Sequence, residues 1–167
     1  MVEDWMTLSP HQANGFYLND LHALTEVIAQ LEAAQQPTIL IGVTFALLDL
    51  AEQFPQPLQH TILMETGGMK GRRKELIRSE VHGILTNAFN LDQIHSEYGM
   101  TELLSQAYSK GNGSFHCPPW MKALVREQED PFQIAKLGAT GGLNIIDLAN
   151  LHSCSFLATQ DLGRLHS

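Results

Sequence analysis

Cysteine is scarce: Cys117 and Cys154 are the only two in 167 residues. A disulfide framework needs more, so the expected setting is reducing and cytoplasmic. Basic residues are short as well. Ten Lys and Arg stand against eighteen Asp and Glu, a net charge of −8. Neither a nucleic-acid groove nor an anionic membrane surface is expected, because both need a basic face. The eight histidines soften that balance only at acid pH. Long apolar runs are missing too. Thr38 to Ala51 is the most apolar stretch, and Gly42 and Asp49 interrupt it, so no membrane insertion is expected. The opening MVEDWMTLSPHQ lacks the basic-then-apolar order of a signal peptide. There is no low-complexity segment and no internal repeat. What is there, 44% apolar and 17% charged residues, has the balance and length of one domain with a substantial core.

Asn19 and Asp20 are helix-cap candidates, and Leu21, Leu24, Val27, Ile28 and Leu31 follow at helical spacing. Pro37 closes that helix, and Thr38–Val43 predicts a buried strand. Thr44 is expected to cap a second helix, FALLDLAEQF, which ends before Pro55 and Pro57. A second strand, Thr61–Thr66, runs into Gly67-Gly68. A third helix is expected after the basic cluster from Lys70 to Lys74, with Leu76, Ile77, Val81, Ile84, Leu85 and Phe89 as its apolar face. Gln93–Gly99 predicts a third short strand. Helices and strands alternating through short connections imply a parallel sheet covered by helices. Beyond the turn from Lys110 to Ser114, three strands follow without helices: Trp120–Gln128, Leu143–Ala149 and Ser153–Asp161. The expected class is α/β: a partly parallel sheet flanked by helices over about 20–108, then antiparallel strands over about 115–167.

Three segments stand out, each expected where a strand ends, the place where open α/β sheets bind ligands. The first is Met64-Glu65-Thr66-Gly67-Gly68-Met69-Lys70-Gly71. Paired glycines let a flat ligand approach the backbone; a tight strand-to-helix turn is the plainer alternative. The pattern is neither GxGxxG nor GxxxxGK[ST], which leaves a dinucleotide fold or a P-loop unsupported. The second is Ser96-Glu97-Tyr98-Gly99-Met100-Thr101-Glu102-Leu103. Its ring can stack on a base, its hydroxyl can reach a phosphate and its carboxylate can hold Mg²⁺. A surface turn with a half-buried Tyr has the same composition. The third is Ala158-Thr159-Gln160-Asp161-Leu162-Gly163-Arg164. Asp161 can accept two hydrogen bonds from a ribose diol, or simply open a β-turn.

In this order the three segments resemble the adenylate-forming superfamily, which activates carboxylic acids with ATP to acyl-adenylates. Tyr98-Gly99-Met100-Thr101-Glu102 looks like its Y-G-x-T/S-E loop, and Thr66-Gly67-Gly68 like its adenine-binding glycine loop. Thr159-Gln160-Asp161-Leu162-Gly163-Arg164 looks like its T-G-D-L-G-R segment, with Gln160 in place of the usual Gly. Cys117-Pro118-Pro119-Trp120-Met121-Lys122, Arg126, Asp130-Pro131 and the run from Gly142 to Asn150 resemble the acyl-protein synthetase (LuxE-like) branch, relatives of phenylacetate-coenzyme A ligases. The resemblance runs from about residue 15 to the end.

It implies part of the large N-terminal domain of such an enzyme, with ATP and Mg²⁺ as cofactors. Gly67 and Gly68 would pass along adenine and Tyr98 would stack on it. Gly99 and Met100 would lie near the acid's carboxylate. Thr101 would bond a phosphate oxygen, Glu102 would hold Mg²⁺ and Asp161 would hold the ribose. The implied partners are ATP or AMP, a long-chain fatty acid, and an acyl-acceptor protein or coenzyme A. The superfamily's phosphate loop ending in Lys and its small Lys-bearing C-terminal domain have no counterpart in this sequence. The chain is therefore expected to be one incomplete domain, inactive alone. A non-catalytic nucleotide-binding module, or one piece of a split enzyme, is the competing expectation.

Other groupings carry less. His116-Cys117 with His152-Ser153-Cys154 lacks the paired spacing of a zinc site. No orienting residue announces a Cys–His nucleophile, and both cysteines are expected as buried small hydrophobes. The Lys70–Lys74 cluster is expected as a solvated first helical turn.

Overall fold

The computed structural model describes residues 2–18, 20–68 and 76–166. Asn19 and the basic cluster from Lys70 to Lys74 lie outside the described residues. The chain divides into two compact units, one running to Ile94 and one from His95.

The first unit opens with α1 (Val2–Leu8), which buries nothing. Asp20 caps α2 (Leu21–Ala33), its carboxylate accepting from the Ala23 amide at 2.9 Å. Strands β1 (Thr38–Gly42) and β2 (Thr61–Glu65) pair in parallel, in register from Thr38↔Thr61 to Gly42↔Glu65. Helix α3 (Thr44–Gln53) crosses between them. Glu32, near the end of α2, accepts from the Gln59 and His60 amides and, at 2.6 Å, from the Thr61 hydroxyl. Burial alone would raise its carboxyl, but these bonds and nearby His60 hold it below the ordinary value. Helix α4 (Arg78–Phe89) follows, with the Ile77 amide bonded to the Glu80 carboxylate at 3.0 Å. Leu48, Leu50, Leu85 and Phe89 are fully buried at the centre of this unit's core.

Three expectations fail here. Strand β1 is not a buried one: none of its residues is buried, and Ile39 is 57% exposed. Val43, not Thr44, is the cap of α3, because the Thr44 hydroxyl is drawn instead to the Glu65 carboxylate at 3.1 Å. Ile77 and Ile84 stay 66% and 38% exposed. Helix α4 starts only at Arg78, so Ile77 precedes its first turn.

In the second unit β3 (His95–Tyr98) pairs antiparallel with the short β4 (Ala107–Ser109), Tyr98 opposite Ala107. A turn follows in which Gly111, Asn112 and Gly113 all have positive φ. Strands β5 (Met121–Arg126), β6 (Gly141–Asp147) and β7 (Phe156–Gly163) form an antiparallel meander. Their core is Leu103, Ala107, Met121 and Ile145. A register shift interrupts β6 between Gly142 and Asn144. It leaves the Leu143 carbonyl free to accept from the Arg126 guanidinium at 2.7 Å and the Thr159 hydroxyl at 3.2 Å. Arg126 also donates to Asn144 Oδ1 at 2.7 Å and to the Thr159 carbonyl at 2.6 Å. A methyl group at Gly142 would lie 2.5 Å from the guanidinium carbon, and one at Gly141 would lie 2.1 Å from the Arg126 carbonyl oxygen.

The expected parallel α/β part passing into antiparallel strands is therefore present. Trp120 lies just outside β5. Both cysteines are exposed rather than buried, and Cys154 precedes β7 instead of lying within a strand. Their turns explain this: Cys117 stands before two prolines, and the Cys154 thiol bonds the Phe156 carbonyl at 3.0 Å. Among the described residues, no helix is long and apolar enough to cross a membrane.

Candidate functional site

Gly67 and Gly68 belong to the first unit, immediately beyond the end of β2. Both have positive φ, +74° and +87°, a conformation that favours glycine. What sets this turn is Glu65, the last residue of β2 and only 4% exposed. Strand β2 buries Thr61, Leu63 and Glu65 on one face, so the period of two carries an acid into the core side. Its Oε2 accepts from the Gly67 amide at 2.7 Å and from the Thr44 hydroxyl. Arg78 Nε and His82 Nε2 each stand 3.6 Å from Oε1. Thr44, Glu65, both glycines, Leu76 and Arg78 line a cavity of about 180 Å³. That is room for part of a ligand, against roughly 300–1,000 Å³ for a whole small-molecule pocket.

The remaining candidates belong to the second unit. Tyr98 ends β3, and its hydroxyl donates to Asp161 Oδ2 at 2.7 Å. Burial pushes the Tyr98 phenol well up, and the adjacent Asp161 carboxylate pushes it further. The ring therefore stays a neutral donor throughout the physiological range. Phe115 meets it edge to face at 6.2 Å. Asp161 lies inside β7 rather than beyond its end, because the strand continues to Gly163. It is exposed there, and its amide donates to the Thr159 hydroxyl at 3.2 Å. Arg126, clamped on the Thr159 carbonyl, thus fixes the stretch of β7 that carries Asp161.

Gly99 is backed by the Gln106 side chain, 3.2 Å from where a Cβ would stand. Met100 packs partly against the second core, and its carbonyl accepts from the Leu103 amide at 3.0 Å. That bond closes a turn whose outer residues, Thr101 and Glu102, are exposed. Among the described residues no group of three or more His, Cys, Asp or Glu gathers as a metal cage. A single exposed carboxylate beside a hydroxyl nevertheless suits Mg²⁺, which keeps several waters and usually takes one or two carboxylates plus phosphate oxygens.

Sequence reasoning missed the residues beneath this turn. Asp147 ends β6 with no exposed surface. Its Oδ2 accepts from the Leu104 and Ser105 amides, both at 2.9 Å. Its Oδ1 accepts from the Ser105 hydroxyl at 2.7 Å and the Ala149 amide at 3.1 Å. Burial alone would raise its carboxyl, but these four bonds outweigh it and hold the group below the ordinary aspartate value. Trp120 Nε1 donates to the Ser105 oxygen at 2.9 Å, and Asn150 Nδ2 to the Glu102 carbonyl at 2.8 Å. The available signal was alternation: Asp147 falls on the buried face of β6 with Ile145, where a carboxylate must find donors.

No protein-family model and no curated protein matches the chain by sequence. Solved structures match by fold. ATP-bound MatB from Rhodopseudomonas palustris superposes with a TM-score of 0.62 at 15% identity, over 87% of this chain and 31% of that one. The N-terminal subdomain of Klebsiella oxytoca NpsA, in complex with 3-hydroxyanthranilyl-AMSN, gives 0.51 at 16% identity, over 87% and 40%. The luciferase-like enzyme of the nonluminescent Zophobas morio mealworm gives 0.52 at 16%, over 83% and 38%. The chain shares its fold with these structures and spans less than half the length of each.

Proposed function

We propose that this chain carries the adenosine-, phosphate- and Mg²⁺-binding loops of an AMP-forming acid–thiol ligase of the acyl-protein synthetase (LuxE-like) kind. The reaction is attack of a fatty-acid carboxylate on the α-phosphate of ATP, with pyrophosphate leaving and an acyl-adenylate formed. The acyl group then passes to a protein or coenzyme A thiol, in the cytoplasm. On this reading the whole chain, with parts at about 20–108 and 115–167, is one incomplete domain.

The observation that carries the proposal is the hydrogen bond between Tyr98 and Asp161, 63 residues apart. It unites two of the three motif segments on a fold shared with an ATP-bound enzyme. Gly67 and Gly68 would offer backbone to adenine, and Tyr98 would present its ring to it while holding Asp161 in place. A carboxylate has acceptor sites beyond the one Tyr98 uses, so Asp161 can still take ribose hydroxyls. Thr101 would donate to a phosphate oxygen, and Gly99 and Met100 would border the acid's carboxylate. Glu102, with Thr101, would hold Mg²⁺, which when bound neutralises phosphate charge. The protein's share of the chemistry is positioning and charge complementarity.

A second reading, a nucleotide-binding module without catalysis or one piece of a split enzyme, draws on the 31% share of MatB that the chain spans. Calorimetry with Mg·ATP and a stable acyl-adenylate analogue tests the common premise. The wild-type protein should bind both, and Tyr98→Ala should weaken each at least about tenfold, the scale of one lost base-stacking contact. No binding by the wild type would sink the nucleotide reading. Fatty-acid-dependent pyrophosphate release by this chain alone would exclude both forms of this second reading.

A further inference from the structure

The geometry points to Asp147 as a positioning residue: it holds the Thr101–Glu102 turn in the shape that receives the phosphate and Mg²⁺ end of the nucleotide. This rests on the nucleotide reading above and adds to it a residue that touches no ligand. The turn is gripped at every point except its two outward side chains. Before it, Tyr98 is paired with Ala107 in the β3–β4 ladder. Inside it, the Leu103 amide bonds the Met100 carbonyl, and the Leu103 side chain is 5% exposed in the core. Asn150 holds the Glu102 carbonyl, and Asp147 takes both following amides, Leu104 and Ser105, on one oxygen. Asp147 and Asn150 belong to one turn, closed by the Asn150 amide on the Asp147 carbonyl at 3.1 Å. The end of β6 therefore acts as a two-pronged clamp on the backbone from Glu102 to Ser105.

The choice of a carboxylate matters physically. Two amides and a hydroxyl converging from a separate loop need an acceptor with several lone pairs, which an aliphatic residue lacks. Thr101 and Glu102 are left exposed on a backbone hydrogen-bonded at Met100, Glu102, Leu104 and Ser105. Residues behind a metal or phosphate ligand set its geometry, and losing one typically costs about 10- to 100-fold in affinity.

The test separates the two ends of the nucleotide. Adenosine and Mg·ATP are titrated into the wild type and into Asp147→Asn by calorimetry, while amide exchange is followed at Leu104 and Ser105. The inference expects Mg·ATP binding to weaken at least about tenfold, adenosine binding to change less than twofold, and exchange at both amides to quicken. Asn150→Ala frees the Glu102 carbonyl and leaves the carboxylate intact. It should show the same selective loss on a smaller scale, and it decides the matter if Asp147→Asn does not fold. Equal weakening of both ligands, or of neither, overturns the positioning role and leaves the nucleotide reading standing. A wild type that binds neither ligand overturns the nucleotide reading and this inference with it.

Discussion

Strands β2 and β6, one in each unit, finish alike: the last residue is an acid on the buried face, Glu65 at 4% exposure and Asp147 at none. Each catches at least one backbone amide of a loop that carries candidate ligand groups. They differ in reach and in company. Glu65 bonds the amide only two residues on, and the Arg78 and His82 side chains stand beside it. Asp147 bonds the Ala149 amide two residues on and also amides 42 and 43 residues away, and its partners among the described residues are neutral groups. The cores differ in the same sense. Among the described residues, the first unit's core cluster gathers eleven buried residues around α3 and α4, and the second unit's gathers four, with Val125 buried outside it. Where apolar packing is ample, the acid trims a turn. Where it is thin, the acid helps hold the unit together.

Asp147→Ala should therefore be the most damaging change at either acid. It strands three amides and a hydroxyl, each worth about 1–3 kcal/mol if left unpaired in the interior. With some relaxation, the loss should be on the order of 4 kcal/mol. Urea unfolding followed by Trp120 fluorescence, in a Trp5→Phe background, measures it, and a loss under about 1 kcal/mol would break the contrast.

Acid should reproduce part of that loss in the native protein. The folded-state value of Asp147 is depressed, so its contribution is fully present above the ordinary aspartate value, about 3.9. It disappears as pH falls through the lowered folded value. The same fluorescence signal, followed from pH 5 to pH 2, should show a stability limb that Asp147→Asn lacks; identical profiles would refute the assignment.

Glu65→Gln should cost less, about 1–2 kcal/mol, because the amide oxygen can still serve Gly67. Circular dichroism melts read this, and a loss as large as that of Asp147→Ala would erase the distinction. Smallest of all is Gly67→Ala. No described residue lies within 4 Å of an added methyl, so the positive φ is what opposes it, at about 1 kcal/mol.

Local chemistry made much of the first unit legible. Asp20 followed by apolar residues at helical spacing marks α2, and β-branched runs mark β1 and β2. What escaped depends on distant partners. Thr44 looks like a cap until Glu65, 21 residues on, competes for its hydroxyl. Strand β4 is three residues without any period, held by its neighbour β3 and by a bridge from Tyr108 to His116. The motif residues Tyr98 and Asp161 were legible as a set, but not that one holds the other. Asp147 stood in plain alternation with Ile145, and only the fold reveals which amides it answers.

The bulge in β6 sets a rule for how this sequence can drift. At Gly141 the obstacle to any side chain is a backbone oxygen, which no other substitution removes. At Gly142 the obstacle is the Arg126 guanidinium, held in place by three acceptors. One glycine is thus fixed unconditionally and its neighbour only while the arginine stays. A side chain at Gly142 must displace the Arg126 guanidinium from those acceptors, or stand opposite a shorter residue at 126. The cost of a side chain at Gly142 therefore depends on what stands at position 126, whereas the cost at Gly141 does not.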